Sequence, residues 1–95
     1  IATLKDNPQF RQIAEILVKH DIEGFIRMGA PIDEYDSEAE ILSNRLVFDA
    51  CTDNNPSVIA TMLAFIFAAS FGYDTPLSTT VYMGAASDIH KAIYG

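Results

Sequence analysis

Ninety-five residues with six Lys or Arg against thirteen Asp or Glu give a net charge of −7 and a pI near 4.4. That length fits one core, since domains typically run to about 100–150 residues, and it excludes an enzyme built as two domains around a cleft. The charge excludes a nucleic-acid binder, which needs clustered cations to displace the counterions of a phosphate backbone.

Apolar residues make up 49% of the chain, which suits one folded domain over residues 1–95 rather than a disordered chain. The single cysteine, Cys51, permits no intramolecular disulfide, so a reducing cytoplasm is the default compartment. The chain opens on Ile1 rather than Met, which leaves a removed leader open. Its most apolar stretch, Val58 to Phe71, is fourteen residues. A membrane span needs about twenty, so a buried helix is the reading.

The elements follow in chain order. Asn7-Pro8 reads as a helix start, because a side-chain acceptor meets an orphan N–H and proline has none to orphan. The helix runs from Pro8 to His20, with Phe10, Ile13, Ala14, Leu17 and Val18 as its apolar face. Arg11, Glu15 and Lys19 face solvent. Asp21 caps a short helical turn, Ile22 to Met28, closed by Gly29 and kept from continuing by Pro31.

After a polar loop, Ser37-Glu38-Ala39-Glu40 reads as a capping box opening a helix to Cys51. Its inward stripe is Ala39, Leu42, Leu46 and Ala50, flanked by Ile41 and Phe48. Asn55-Pro56 starts the next helix, which runs to Phe71, is apolar nearly all round, and is therefore expected at the centre. Gly72 ends it. Thr75-Pro76 opens the last segment, where Leu77, Val81, Ala85, Ile89 and Ile93 step by four. The β-branched Thr79, Thr80 and Val81, with Gly84, leave a strand or a kink open there. The fold class is all-α: an orthogonal or bundle-like array of four main helices plus one short helical turn.

The charge is concentrated. Residues 21–53 hold nine acids and two bases, a net −7 equal to that of the whole chain, and five of the acids fall between Asp33 and Glu40. Three readings compete. Acids at a helix start favour the positive end of its dipole by about 0.3–1 kcal/mol each; on that reading neutralising Glu38 costs a few tenths of a kcal/mol. An acidic patch at Asp33, Glu34, Tyr35 and Asp36 would meet a basic partner. A divalent-metal site is the third, but a calcium loop needs glycine at its sixth position and glutamate at its twelfth. Neither a loop from Asp33 nor one from Asp49 has them.

The run Asp21 to Asp36 resembles a phrase of a family of small uncharacterised bacterial proteins, a domain of unknown function. Gly29-Ala30-Pro31-x-Asp33-Glu34-Tyr35-Asp36 matches its second half in full; in the first half Gly24 matches and Glu23 replaces a proline. The likeness extends over roughly residues 21–71. It implies a small all-helical fold and supplies no activity, and some relatives look like neighbours of toxin-type genes, which implies immunity-like binding. Residue chemistry gives the phrase a structural meaning as well. Gly29 suits a left-handed helix end, Asp33 or Asp36 can accept from nearby N–H groups, and Tyr35 can pack its ring inward.

Other chemistry is sparse. His20 reads as a helix-end cap or a surface residue, and His90 similarly. Cys51 lies between Asp49 and Asp53, which does not activate a thiol. No phosphate loop, Cys-x-x-Cys or zinc-protease motif is present. The competing enzyme reading is a magnesium-dependent helical nucleotide pyrophosphohydrolase. Its facing Glu-x-x-Glu pairs are missing, since Glu38 and Glu40 project to different faces. The sequence thus points to a non-catalytic protein–protein interaction module, immunity-like or self-associating, with no cofactor and no metal. Its partner is another protein, with basic character matched to the acidic run, or a second copy in a homodimer.

Overall fold

The first helix, α1, spans Pro8–His20 and turns Phe10, Ile13 and Leu17 inward, the stripe that helical spacing anticipates. The computed structural model describes residues 8–31, 33–48 and 55–95. The Asn7 cap, Ala50, Cys51 and the Asp49 and Asp53 neighbours of that cysteine lie outside the described residues.

Helix α1 ends at Asp21, whose φ of 43° is left-handed. Its N–H donates to the Leu17 carbonyl at 2.8 Å, a left-handed helix stop that glycine usually supplies. One helical turn follows, shorter than expected. Its exit is a Schellman closure: Gly29 N–H donates to the Ile26 carbonyl at 3.0 Å and Ala30 N–H to the Phe25 carbonyl at 2.9 Å. Gly29 adopts φ 101° there, a conformation that side chains rarely adopt.

Helix α2 is Asp36–Phe48, not a helix capped by Ser37. Its first hydrogen bond runs from Ala39 N–H to the Tyr35 carbonyl at 3.0 Å, so Ser37 stands inside the first turn. The cause is tertiary. Tyr35 is fully buried, and anchoring its ring fixes where the backbone enters the helix. Ala39, Leu42 and Leu46 are buried as expected, whereas Ile41 is exposed.

Helix α3 is Pro56–Phe71, as read from its two end signals. The Asn55 side chain accepts from Val58 N–H at 3.0 Å. Gly72 closes the other end at φ 73°, and Tyr73 N–H donates to the Ala68 carbonyl. Seven residues of α3 are buried, Leu63 and Phe67 among them. The helix is nonetheless a wall, not an axis. It packs on α2 and on α4, while α1 packs on the same two. The four helices thus close a ring around one core, and Phe65 on the outer side of α3 is 61% exposed.

The last segment differs most from its sequence reading. Thr79–Val81 forms a single 3₁₀ turn and α4 covers only Met83–Tyr94. Thr75-Pro76 starts nothing, because Leu77 and Val81 are exposed and no buried face rewards a helix there. Ala85 and Ile89 do point inward. Gly84 lies inside α4 without interrupting it; a Cβ at that position would come within 3.1 Å of the His20 ring. Among the described residues there is no strand, and no helix is long and apolar enough to cross a membrane.

Candidate interaction site

The acidic run is held by Asp21, the residue that the sequence offers as the cap of the short turn, and its bond to Tyr35 fourteen positions on is what the sequence does not signal. Asp21 is 5% exposed, and both its oxygens are in use. Oδ1 accepts from the Tyr35 hydroxyl at 2.6 Å and from Ile26 N–H at 3.0 Å. Oδ2 accepts from the N–H and Nε of Arg27, at 3.1 and 3.3 Å. Burial works to raise the Asp21 pKa, but the bonds from Tyr35, Ile26 and Arg27 together hold it below the ordinary aspartate value. The same arrangement pushes the Tyr35 hydroxyl up, first through burial and then through Asp21. The turn between α1 and α2 is therefore clamped at both ends.

Aromatic rings complete the clamp. Tyr35 stacks between Phe25 and Phe67, with centroids 6.3 and 6.0 Å away, and Tyr82 meets Phe67 edge-on at 5.3 Å. Of the four residues expected to form a patch, Tyr35 belongs to this core and serves as an anchor. Asp33 and Glu34 are exposed and Asp36 is half-buried. The anchoring turn carries its carboxylates on its outer side.

These acids border a groove against α1. About 400 Å³ in volume, it is lined by Phe10, Arg11, Ala14, Glu15, Val18, Asp33 and Asp36. Helical spacing puts Arg11 and Glu15 in solvent and Phe10, Ala14 and Val18 on the apolar face. Phe10 is buried, but Ala14 and Val18 are only half-buried. Their step of four from Phe10 is the signal that a second stripe lies beside the core-facing one.

A different polar cluster lies deeper. Glu38 is 4% exposed, and its Oε2 has no hydrogen-bond partner among the described residues. Burial raises its pKa, and the charges of Glu34, Asp36 and Glu23 add to that rise. Glu23 accepts from the Tyr73 hydroxyl, and that bond pushes the Tyr73 pKa up to about 12. The other Glu23 oxygen and the Tyr82 hydroxyl are buried without partners among the described residues. Glu40, two positions on from Glu38, is exposed.

His20 is more than a surface cap. Its Nε2 lies 2.8 Å from Asp88 Oδ2, tying the end of α1 to α4, and Lys19 Nζ approaches the same oxygen at 3.6 Å. The hydrogen bond from His20 is the main cause that holds Asp88 below its ordinary value. His90 packs on Tyr94 at 5.4 Å and does not join His20. Among the described residues, no group of three His, Cys, Asp or Glu is placed to hold a metal ion. Comparison with protein-family models, curated proteins and solved structures returned no match.

Proposed function

We propose that the chain is a non-catalytic interaction module that docks another protein through the acidic edge Asp33, Glu34 and Asp36. The observation that carries this reading is the clamped turn: four hydrogen bonds on buried Asp21 make rigid a loop whose outer side carries carboxylates. Binding residues held on a rigid scaffold lose little freedom on association. The Gly29–Asp36 phrase resembles one in small uncharacterised bacterial helical proteins, some of which look like neighbours of toxin-type genes, and an immunity-like role is in keeping with that resemblance. A cytoplasmic setting fits the lone cysteine.

The test is capture of a partner on wild-type protein and on the Asp33→Asn, Glu34→Gln variant, followed by association kinetics at low and high salt. The reading requires slower association for the variant and a smaller salt effect, because exposed charges steer encounter within a screening length. Equal on-rates would remove it.

Self-association belongs to the same proposal, favoured by Phe65, exposed on α3 near Val58, Met62 and Arg45. A two-fold homodimer would cover that face. Sedimentation at the monomer mass at high concentration would exclude it.

A further inference from the structure

The acidic edge has an apolar neighbour, and the two together specify a partner more narrowly than charge alone. Helix α1 carries two stripes. Ile13 and Leu17 are fully buried and belong to the core. Phe10, Ala14 and Val18, spaced by four, line the groove, with Phe10 also part of the core and Ala14 and Val18 packed against it. Phe10 is buried beneath it, Val18 is half-buried, and the small Ala14 between them leaves the depression. The walls are charged: Glu15 on α1, with Asp33 and Asp36 on the clamped turn, against the single guanidinium of Arg11 among the described lining residues.

The volume of about 400 Å³ lies in the range of sites that bury a ligand-sized group, about 300–1,000 Å³. An apolar floor between carboxylate walls is complementary to an apolar side chain flanked by cations. Lys and Arg fit such a rim well, because their stems follow apolar surface while the head reaches a carboxylate. A purely cationic segment would leave the floor wet, and an acidic one would face three like charges.

Resting on the interaction reading above, we propose that the groove between α1 and the Asp33–Asp36 turn binds a cationic amphipathic segment of a partner protein. A large apolar side chain of that segment seats over Ala14, and Lys or Arg on either side meet Glu15, Asp33 and Asp36. Anchors that fill a pocket carry most of the affinity of such an interface, and the charged rim sets the rate and the choice of partner.

Three synthetic peptides of equal length serve as probes: a Leu/Lys amphipathic sequence, its Leu/Glu counterpart, and a Ser/Lys counterpart that keeps the charge and loses the anchors. Affinity is read by fluorescence anisotropy on the intact protein, and the contact surface by amide chemical shifts. The Leu/Lys peptide should bind about tenfold tighter than either counterpart, with the largest shifts at Ala14, Val18 and Asp33. Ala14→Met fills the depression with a good helix former, and should weaken that peptide by about tenfold while the circular dichroism spectrum is unchanged.

Shift mapping on the wild-type protein keeps the test independent of how the variant folds. Shifts centred on Phe65 and Met62 overturn the proposal, as does equal binding of the Leu/Lys and Ser/Lys peptides. If Asp33→Asn, Glu34→Gln weakens the Leu/Lys peptide while Ala14→Met does not, the acidic-edge reading stands and the groove proposal falls. If neither the variants nor the choice of peptide matters, both fall.

Discussion

Asp21 and Glu38 are both acids withdrawn from water, at 5% and 4% exposure, and the protein treats them in opposite ways. Asp21 receives four hydrogen bonds, one of them from buried Tyr35. Glu38 has an oxygen with no partner among the described residues and three acids within electrostatic reach. Burying a charge costs free energy unless it is paired and hydrogen-bonded. The comparison therefore separates a carboxylate that organises structure from one that strains it. It also explains why the turn is rigid where Asp21 holds it, whereas the first turn of α2 carries a buried carboxyl whose charged form is disfavoured.

The two regions meet at Phe67, whose ring contacts Tyr35 on one side and Tyr82 on the other. Phe67→Ala should cost about 3–5 kcal/mol, the range for emptying a buried aromatic site, as measured by chemical denaturation. A loss below about 1 kcal/mol would mean that the two polar regions do not depend on a shared aromatic core.

Tyr35→Phe sharpens the comparison by a single atom. It keeps the ring between Phe25 and Phe67 and deletes one donor to a charged acceptor. About 1–3 kcal/mol should be lost, with the α2 boundary shifting toward Ser37 as the entry point loosens. The same substitution at Tyr82, whose hydroxyl has no partner among the described residues, should cost less or nothing. Equal losses at the two tyrosines would erase the distinction drawn between the two regions.

The pH dependence separates the acids by sign. The Asp21 pKa is lowered on folding, so its contribution is present above the ordinary aspartate value and is lost as pH falls through the folded value. Asp88, held by His20, acts on the same limb. The Glu38 pKa is raised, so its contribution is complete below the ordinary glutamate value and is lost as pH rises through the folded one. Unfolding midpoints of the wild type should decline on both sides. Asp21→Asn should flatten the acid limb, and Glu38→Gln the other. At neutral pH Glu38→Gln should raise the midpoint, the reverse of the helix-start expectation, because the side chain is buried and not at the dipole's solvated end. A lowered midpoint would show that Glu38 has a stabilising partner.

The elements most legible in the sequence are those punctuated at both ends by local chemistry. α3 is bounded by Asn55-Pro56 and Gly72, and both signals act within a few residues. The start of α2 was displaced by one residue because it is set by Tyr35 bonding to Asp21, fourteen positions away, and no capping pattern carries that information. Thr75-Pro76 had the right local chemistry and started no helix, since Leu77 and Val81 have no core to enter. At the candidate site, Asp33, Glu34 and Asp36 stand out by charge alone. Their floor on α1 does not, because Ala14 and Val18 read as core beside buried Phe10 until the turn is seen to leave those two partly uncovered.

The smallest effect belongs to the outer side of the turn, and it tests whether structure and recognition are divided as the two acids suggest. Asp33 and Glu34 are exposed. The bonds seen there are from their backbones, Glu34 N–H to the Pro31 carbonyl at 3.0 Å and Asp36 N–H to the Asp33 carbonyl at 3.1 Å. Substituting both side chains, Asp33→Asn with Glu34→Gln, leaves those backbone bonds in place. The stability change should stay within about 0.5 kcal/mol, as for surface substitutions away from special features. Its sign should be slightly favourable at neutral pH, because Glu34 is the charge that burdens Glu38 most and neutralising it relieves that repulsion. In the Glu38→Gln background the gain should vanish, since no charge is left there to relieve, and a double-mutant cycle measures that difference directly. A loss beyond about 1 kcal/mol would mean that Asp33 or Glu34 helps to hold the turn, and the outer carboxylates would then no longer be spare for a partner.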